Sequence, residues 1–152
     1  MMITLEAIEA EHAKVSEMIA TFKQQALTTK YAVPAAIITL APGEHYAGIV
    51  LDGKGDPAHH LILLAGDNDG LSWADAKSWA AQRGGELPKR CEHSLLFANL
   101  KNEFRNAWYW CAEEYEENRA YAWFQGFGGS QGYDHKGAGY CFSRAIRRVI
   151  IE

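Results

Sequence analysis

The chain of 152 residues is long enough for one domain with an appended element, and its 48% apolar content supports a sizeable core. Its formal net charge of −4 argues against a nucleic-acid-binding protein, because a surface that follows phosphates needs clustered lysine and arginine. No apolar run approaches the roughly 20 residues that span a bilayer, so membrane insertion is not expected.

The N-terminal segment predicts an amphipathic helix that is capped by Thr4 and ends near Gln25. An apolar stripe runs along it with alternating four- and three-residue spacing, which is the a/d pattern of a coiled coil over about three heptads. The stripe predicts a homo-oligomer, dimer or trimer, and the alternative is a helix packed on its own domain. One histidine interrupts the stripe and would fix its register. The predicted oligomerisation residues are Leu5, Ile8, His12, Val15, Ile19 and Phe22.

Cysteine usage and the first residues bear on the compartment. Three cysteines cannot form a closed disulfide framework, which favours a reducing environment. The N-terminal residues lack the basic and apolar regions of a signal peptide. We therefore expect synthesis in the cytoplasm without a signal peptide, and another route out of the cell for any virion-associated role.

After a linker over residues 26–33, the sequence predicts a small antiparallel β-meander. Short apolar runs are separated by turn residues such as Pro42-Gly43. The predicted strands cover residues 35–40, 46–51 and 61–65.

Two short helices are predicted next. Ser72 can cap the first helix, with Asp75 three residues on in the reciprocal place of a capping box. Gly84 and Gly85 end this helix, because glycine adopts the left-handed conformation without a Cβ clash. A second helix is predicted over about residues 92–104.

The last third of the chain is rich in aromatic residues and glycine. Residues 104–142 contain 12 of the 18 aromatic side chains. Strands are predicted over residues 107–112 and 121–127, joined by a polar connection over 113–118. Residues 126–139 contain six glycines, which predicts irregular structure over most of their length. A final strand is predicted over residues 140–151, and one of its two arginines, Arg147 or Arg148, is expected to point inward and to pair with Glu86 or Glu92.

Five motifs occur in a characteristic order: Leu71-Ser72-Trp73-x-x-Ala76, Gly84-Gly85-x-Leu87-Pro88, Tyr109-Trp110, Ala122-Trp123-x-x-x-Phe127 and Ile146-Arg147-Arg148-Val149. In this order they resemble the C-type-lectin-like fold. More narrowly, they are similar to the branch that includes formylglycine-generating enzymes, retroelement-diversified phage receptor binders and small prophage proteins with a lectin-like domain of unknown function. The resemblance covers about residues 61–151.

The resemblance implies an α+β fold, a C-type-lectin-like domain in which two helices pack on short antiparallel strands. The N-terminal coiled-coil-type helix and the β-meander would precede this domain. The predicted division is residues 1–30 for the oligomerisation helix and linker, 31–58 for the β-meander, and 59–152 for the lectin-like domain.

In this branch the glycine-aromatic stretch before the last strand presents the ligand-binding face. The matching residues are Gln131, Tyr133, Asp134, His135, Lys136 and Tyr140, and Tyr115 and Asn118 in the nearby polar connection join the predicted binding set. Independently of the resemblance, tyrosine beside glycine provides rigid contact area on an adaptable loop, as in antibody paratopes. Exposure is expected for Tyr133, Asp134 and His135, and a core position for Tyr121, Trp123, Phe127 and Phe142.

Catalysis, metals and cofactors are not expected. Asp67-Asn68-Asp69-Gly70 contains only part of a calcium loop, and the Glu-Pro-Asn, Gln-Pro-Asp and Trp-Asn-Asp triplets of sugar-binding lectins are missing. The pairs His59-His60 and Asp134-His135 are each adjacent in sequence and have no further ligand residues with metal-site spacing, which argues against a zinc site. Formylglycine-generating relatives hold copper through two late cysteines, whereas Cys141 stands alone in the final segment and Cys111 gives no matching pair.

The sequence therefore predicts a non-enzymatic phage or prophage binding protein. It would be a tail-associated virion component that contacts a host-surface or virion protein or a glycan. Two alternatives stay open: an intracellular phage protein that inhibits a host factor, and a metal- or oxygen-dependent enzyme of the formylglycine-generating type.

Overall fold

A computed structural model describes residues 2–152, which form two compact units, one ending at Val33 and the other comprising Pro34–Glu152. Across the described residues there are three α-helices and two three-stranded antiparallel sheets, which confirms the predicted α+β class. The elements are α1 (Leu5–Leu27), β1 (His45–Leu51), β2 (Pro57–Leu63), α2 (Trp73–Gln82), α3 (Arg90–Leu100), β3 (Trp108–Glu114), β4 (Tyr121–Gly126), β5 (Gln131–His135) and β6 (Ile146–Ile150).

Helix α1 begins at the predicted cap. The Thr4 hydroxyl oxygen accepts a hydrogen bond from the Ala7 N–H at 3.2 Å, which satisfies one of the free donors of the first turn. The helix continues to Leu27, two residues beyond the predicted end near Gln25. None of its side chains is buried, and the apolar stripe is exposed along its length: Leu5, Ile8, His12, Val15, Ile19 and Phe22. Among residues 2–152, no helix combines the length and the apolar character needed to cross a membrane.

The first sheet has the order β1-β2-β6, so the end of the chain pairs with an early strand. Ile62 in β2 lies opposite Tyr46 on one side and Arg147 on the other. The last three residues of the middle strand, Leu61 to Leu63, are apolar and fully buried on both faces. The domain boundary predicted near residue 58 falls within β2.

The strand predicted over residues 35–40 is wrong. These residues belong to no strand and lead into a turn at Pro42 and Gly43. One backbone group of the segment bonds to a side chain instead of a strand: the Arg147 guanidinium donates to the Thr39 carbonyl at 3.0 Å, and it also donates to the Glu44 carboxylate at 2.9 Å. The apolar residues of this segment therefore lie outside both sheets, and Ile37 among them is fully exposed.

Helices α2 and α3 follow the first sheet. The Ser72 hydroxyl accepts the Asp75 N–H at 3.3 Å, which confirms the predicted cap of α2. A Cβ at Gly85 would lie 2.5 Å from the Ile146 carbonyl oxygen, so glycine allows the close approach of this turn to β6. Helix α3 ends four residues before the predicted Phe104, because a 3₁₀ turn over Lys101–Glu103 replaces its last turn.

The second sheet has the order β3-β4-β5, and its third strand was not predicted from the sequence. Strand β5 lies inside the glycine-rich stretch, residues 126–139, that was predicted to be irregular over most of its length; residues 127–130 and 136–139 belong to no strand or helix, as predicted. A Cβ at Gly132 would lie 2.7 Å from the Phe124 ring, so this glycine makes room for an aromatic ring of the adjacent strand. The predicted final strand over 140–151 is shortened to β6.

Two tryptophans hold α2 against β3. Trp110 is fully buried, and its indole N–H donates to the Leu71 carbonyl at 3.0 Å. The Trp73 indole N–H donates to the Cys111 carbonyl at 2.8 Å. Both indole N–H groups therefore have a hydrogen-bond acceptor inside the apolar core, as buried polar groups require.

A buried ion pair joins β6 to α3. Glu92 is fully buried and accepts hydrogen bonds from Arg148 at 2.7 and 2.8 Å and from the Lys89 N–H at 2.9 Å. Arg148 also pairs with Glu86. The predicted inward arginine is thus Arg148, and it engages both of the expected carboxylates. Burial alone would raise the pKa of Glu92, but hydrogen bonds from Arg148 and Lys89 lower it below its usual value.

Candidate binding surface

One face of the second sheet carries a group of aromatic side chains. In β4, residues two apart point to the same face, so Tyr121 and Trp123 lie side by side. In the register of the sheet, Trp123 is opposite Tyr133 and Tyr121 is opposite His135. Alternation along two strands therefore brings four rings onto one face of the sheet.

A fifth ring, from Tyr115, completes the group. The Tyr115 and Tyr133 rings are stacked, with centroids 3.8 Å apart and planes inclined by 10°. Trp123 packs edge-on against both, at 5.4 Å from Tyr115 and 5.8 Å from Tyr133. Tyr133 is 49% exposed. We define the aromatic surface as the five residues Tyr115, Tyr121, Trp123, Tyr133 and His135.

Charged groups border the aromatic surface on its Trp123 side. The Arg90 guanidinium lies 3.5 Å from the centroid of the Trp123 ring, and the Trp123 indole N–H donates to Glu116 at 3.1 Å. The Tyr115 hydroxyl donates to Glu117 at 3.1 Å. Hydrogen bonding with Tyr133 and with Glu117 raises the pKa of Tyr115 to about 12.

Gln131 supports the aromatic surface from its border. Its side-chain oxygen accepts from the Arg90 Nε at 3.0 Å, and its amide nitrogen donates to the Arg90 carbonyl at 3.0 Å. The same nitrogen donates to Gln125 at 2.8 Å. With these bonds made, Gln131 anchors helix α3 to the sheet and holds Arg90 over Trp123.

Three other residues of the predicted binding set lie apart from the aromatic surface. Asp134 is half-buried, opposite Ala122 on the inner side of the sheet, and accepts the His135 N–H at 2.7 Å. Lys136 forms an ion pair with Glu114 at 3.0 Å. The Asn118 side chain accepts the Ala120 N–H at 3.0 Å and so stabilises the turn between β3 and β4.

Tyr140 belongs to a second aromatic group on the opposite face of the same sheet. Its ring contacts Trp108 at 5.6 Å, and Trp108 stacks on Phe124 at 4.9 Å. Tyr140 is 53% exposed and Trp108 is 46% exposed. The predicted binding set is thus divided between two faces, with Tyr115, Tyr133 and His135 together and Tyr140 elsewhere.

The core predicted from aromatic residues requires a correction. Phe127 is buried, but Tyr121, Trp123 and Phe142 are only half-buried. The two β4 rings project from the outer face of the sheet, where other rings cover part of their area. Arg90 and Glu116 were not predicted as site residues. The two-residue spacing of Tyr121, Trp123 and Gln125 was the available signal, although the strand that pairs with them was not anticipated.

Two buried thiols lie in the core. Burial raises the pKa of Cys141 to about 12, and burial also raises that of Cys111 well above its usual value. Both sulphurs are therefore protonated near neutral pH and pack as small apolar groups. Within residues 2–152 there is no group of three or more histidine, cysteine, aspartate or glutamate side chains arranged to hold a metal ion.

Comparison with known proteins gives no match: no family model matches the chain, and no curated protein is similar enough to be matched to it.

Proposed function

We propose that this is a non-catalytic binding protein, a tail-associated virion component of a phage or prophage, which contacts a host-surface or virion macromolecule. The observation that carries the binding proposal is the aromatic surface. Five rings share one face of a sheet with charged groups at the border, which is the composition of interface hot spots. The phage assignment is drawn from the motif resemblance described above.

We also infer that residues 59–152, within the unit Pro34–Glu152, have the C-type-lectin-like fold. In support, the motifs fall at structural junctions: Ser72 caps α2, Gly85 allows close contact with β6, and Trp110 fills the core. The fold does not determine the ligand, so the binding proposal is argued from the rings themselves.

Self-association is the second part of the proposal. Helix α1 presents an apolar stripe that is 50% exposed at Ile19 and 71% exposed at Leu5. We propose that this stripe joins copies of the chain, so that several weak contacts of the aromatic surface add through avidity.

The test compares two exposed tyrosines on opposite faces of one sheet. The full chain is immobilised, and cell-envelope material, phage particles or cytosolic extract of the source strain is passed over it. Tyr133→Ala removes a ring from the aromatic surface. Tyr140→Ala, the matched control, removes a similarly exposed ring from the other face. Circular dichroism confirms that both variants are folded.

We expect envelope material or particles to be retained by the original chain and by Tyr140→Ala. Tyr133→Ala should weaken this retention about tenfold or more, since central interface rings dominate affinity. Equal retention by both variants would reject the aromatic surface as the binding site. Retention of a cytosolic protein alone would replace the virion role with that of an intracellular inhibitor.

A further inference from the structure

The charges along α1 carry information about how two copies would pair. In the heptad pattern, Leu5, His12 and Ile19 occupy a positions, and Ile8, Val15 and Phe22 occupy d positions. All six side chains are exposed. We propose that α1 pairs antiparallel with α1 of a second copy, as a two-stranded coiled coil. This inference rests on the self-association in the proposed function and adds its partner and its direction.

The core of the antiparallel pair is complementary in size. When the a positions of one helix meet the d positions of the other, Leu5 lies opposite Phe22, Ile8 opposite Ile19 and His12 opposite Val15. Each large ring then meets an aliphatic side chain, and each histidine meets an apolar one. In the parallel pair every residue meets itself, so two imidazoles of His12 would share one layer and two rings of Phe22 another.

The flanking charges favour the same direction. Beside the core, the e positions are Glu9, Ser16 and Lys23. In the antiparallel register Glu9 of each copy faces Lys23 of the other, which forms two attractive pairs. Ser16 faces itself across the two-fold axis. On the other flank Glu11 faces Glu11, the one like-charged contact of this register.

The parallel register lacks these attractive pairs. There the g positions of one copy meet the e positions of the next heptad, so Glu11 meets Ser16 and Met18 meets Lys23. The acidic first halves of the helices, which contain Glu6 and Glu9, would also lie alongside each other. The helix macrodipoles oppose parallel alignment as well, because like ends would be adjacent. The occupant that fits the stripe is therefore a second, oppositely directed copy.

Direction determines how the remainder of each chain leaves the paired helices. With a rise of 1.5 Å per residue, the two Leu27 ends of the antiparallel pair lie roughly 40 Å apart along the axis. In the parallel pair they would be neighbours. The antiparallel pair therefore releases its two chains from opposite ends, whereas a parallel pair would release both from the same end.

Two variants of the full chain, each with one added thiol on α1, distinguish the directions; the native Cys111 and Cys141 remain and are buried. Both are made with Cys91→Ser, because Cys91 is the exposed native thiol. Ser16→Cys places a thiol opposite itself in the antiparallel register and on opposite flanks in the parallel one. Ile19→Cys places a thiol opposite itself only in the parallel core, because in the antiparallel register residue 19 faces Ile8 of the other copy. Each variant is treated with a short bis-maleimide crosslinker, and light scattering gives the mass before crosslinking.

We expect a dimer by light scattering, with a covalent dimer formed at least about tenfold faster by Ser16→Cys than by Ile19→Cys. Faster crosslinking of Ile19→Cys would overturn the antiparallel direction. A monomer or a trimer would also overturn it, as would a dimer that neither variant crosslinks. Adding Tyr133→Ala should leave the crosslinking unchanged, so failure of ligand binding and failure of this pairing are separate results.

Discussion

The guanidinium of Arg90, the first residue of α3, lies 3.5 Å from the centroid of the Trp123 ring in β4. A cation over an indole face is attracted by the ring quadrupole. The side chain is also held by Gln131, so one contact joins the helix, the sheet and the border of the aromatic surface.

Arg90→Ala should lower the free energy of unfolding by about 1 kcal/mol, because it removes the cation over Trp123 and the hydrogen bond to Gln131. It should also shift the tryptophan fluorescence maximum, since Trp123 becomes more solvated. Urea denaturation followed by fluorescence measures both effects. Arg119→Ala is the matched control: that side chain is 90% exposed, with one ion pair to Glu114, and its loss should change stability by less than about 0.5 kcal/mol.

Glu92→Gln should destabilise the protein by about 3 kcal/mol or more, because it leaves the Arg148 charge without its buried partner. The comparison is Glu86→Gln, which alters the other carboxylate on Arg148. Glu86 is 67% exposed, so this change should cost less than about 1 kcal/mol. Chemical denaturation of both variants gives the difference. Similar losses of unfolding free energy in the two variants would show that the buried Glu92 carboxylate contributes no more to stability than the exposed Glu86 carboxylate.

His93 should make stability depend on pH. It is fully buried, its Nε2 bonds to the Trp110 carbonyl at 3.0 Å, and burial lowers its pKa from 6.5 to about 4. Between these values the unfolded chain binds a proton that the folded chain excludes, so stability falls as the pH decreases from 6.5 to 4. The shift corresponds to about 3 kcal/mol.

His93→Gln keeps a donor near the Trp110 carbonyl and removes the titrating group. Unfolding free energies of the original chain and this variant, measured from pH 7 to pH 4.5, should therefore converge as the pH falls. This range lies above the folded pKa of Glu92, whose stabilisation is lost only as the pH falls further. Parallel curves for the two proteins would show that His93 does not titrate on unfolding.

Gly132→Ala should disturb the second aromatic group. The added methyl would lie 2.7 Å from the Phe124 ring, which is stacked on Trp108 and cannot move freely. We expect a loss of about 1–2 kcal/mol in thermal or urea unfolding. Gly128→Ala is the control in the same glycine-rich stretch, because its methyl would be 3.4 Å from the nearest atom, in the Asn106 side chain. Its effect should be within about 0.5 kcal/mol.

Local signals in the sequence predicted part of this fold. The Ser72 cap and the glycines after α2 follow from side-chain chemistry close in sequence, and one inward arginine follows from a charge that needs a partner; the structure identifies it as Arg148. Strand β5 was not predicted, because the glycine content of residues 126–139 indicated irregular structure over most of the stretch, which holds for all but the strand residues. Gly132 is instead a strand residue that accommodates a neighbouring ring, a role visible only once β4 and β5 are paired.

The same limit applies to the aromatic surface. Tyr133, Asp134 and His135 were predicted to be exposed; Tyr133 and His135 are, whereas Asp134 is half-buried. Trp123 was predicted to be core because large apolar side chains are usually buried. Its actual position depends on the register of β4 with β5, and the contact with Arg90 depends on where α3 packs. Long-range pairing of this kind has no local signature in a single sequence.

The Gln131 side chain has a consequence for recognition. Because its amide is bonded to Arg90 and to Gln125, the border of the aromatic surface is fixed before any ligand arrives. The stacked tyrosines are similarly restrained by each other. A ligand would therefore meet a preorganised surface and would immobilise few additional rotamers, so more of the contact energy would be retained as affinity. Loss of the Gln131 hydrogen bonds to Arg90 and Gln125 should therefore weaken binding even though no contact with the ligand is removed.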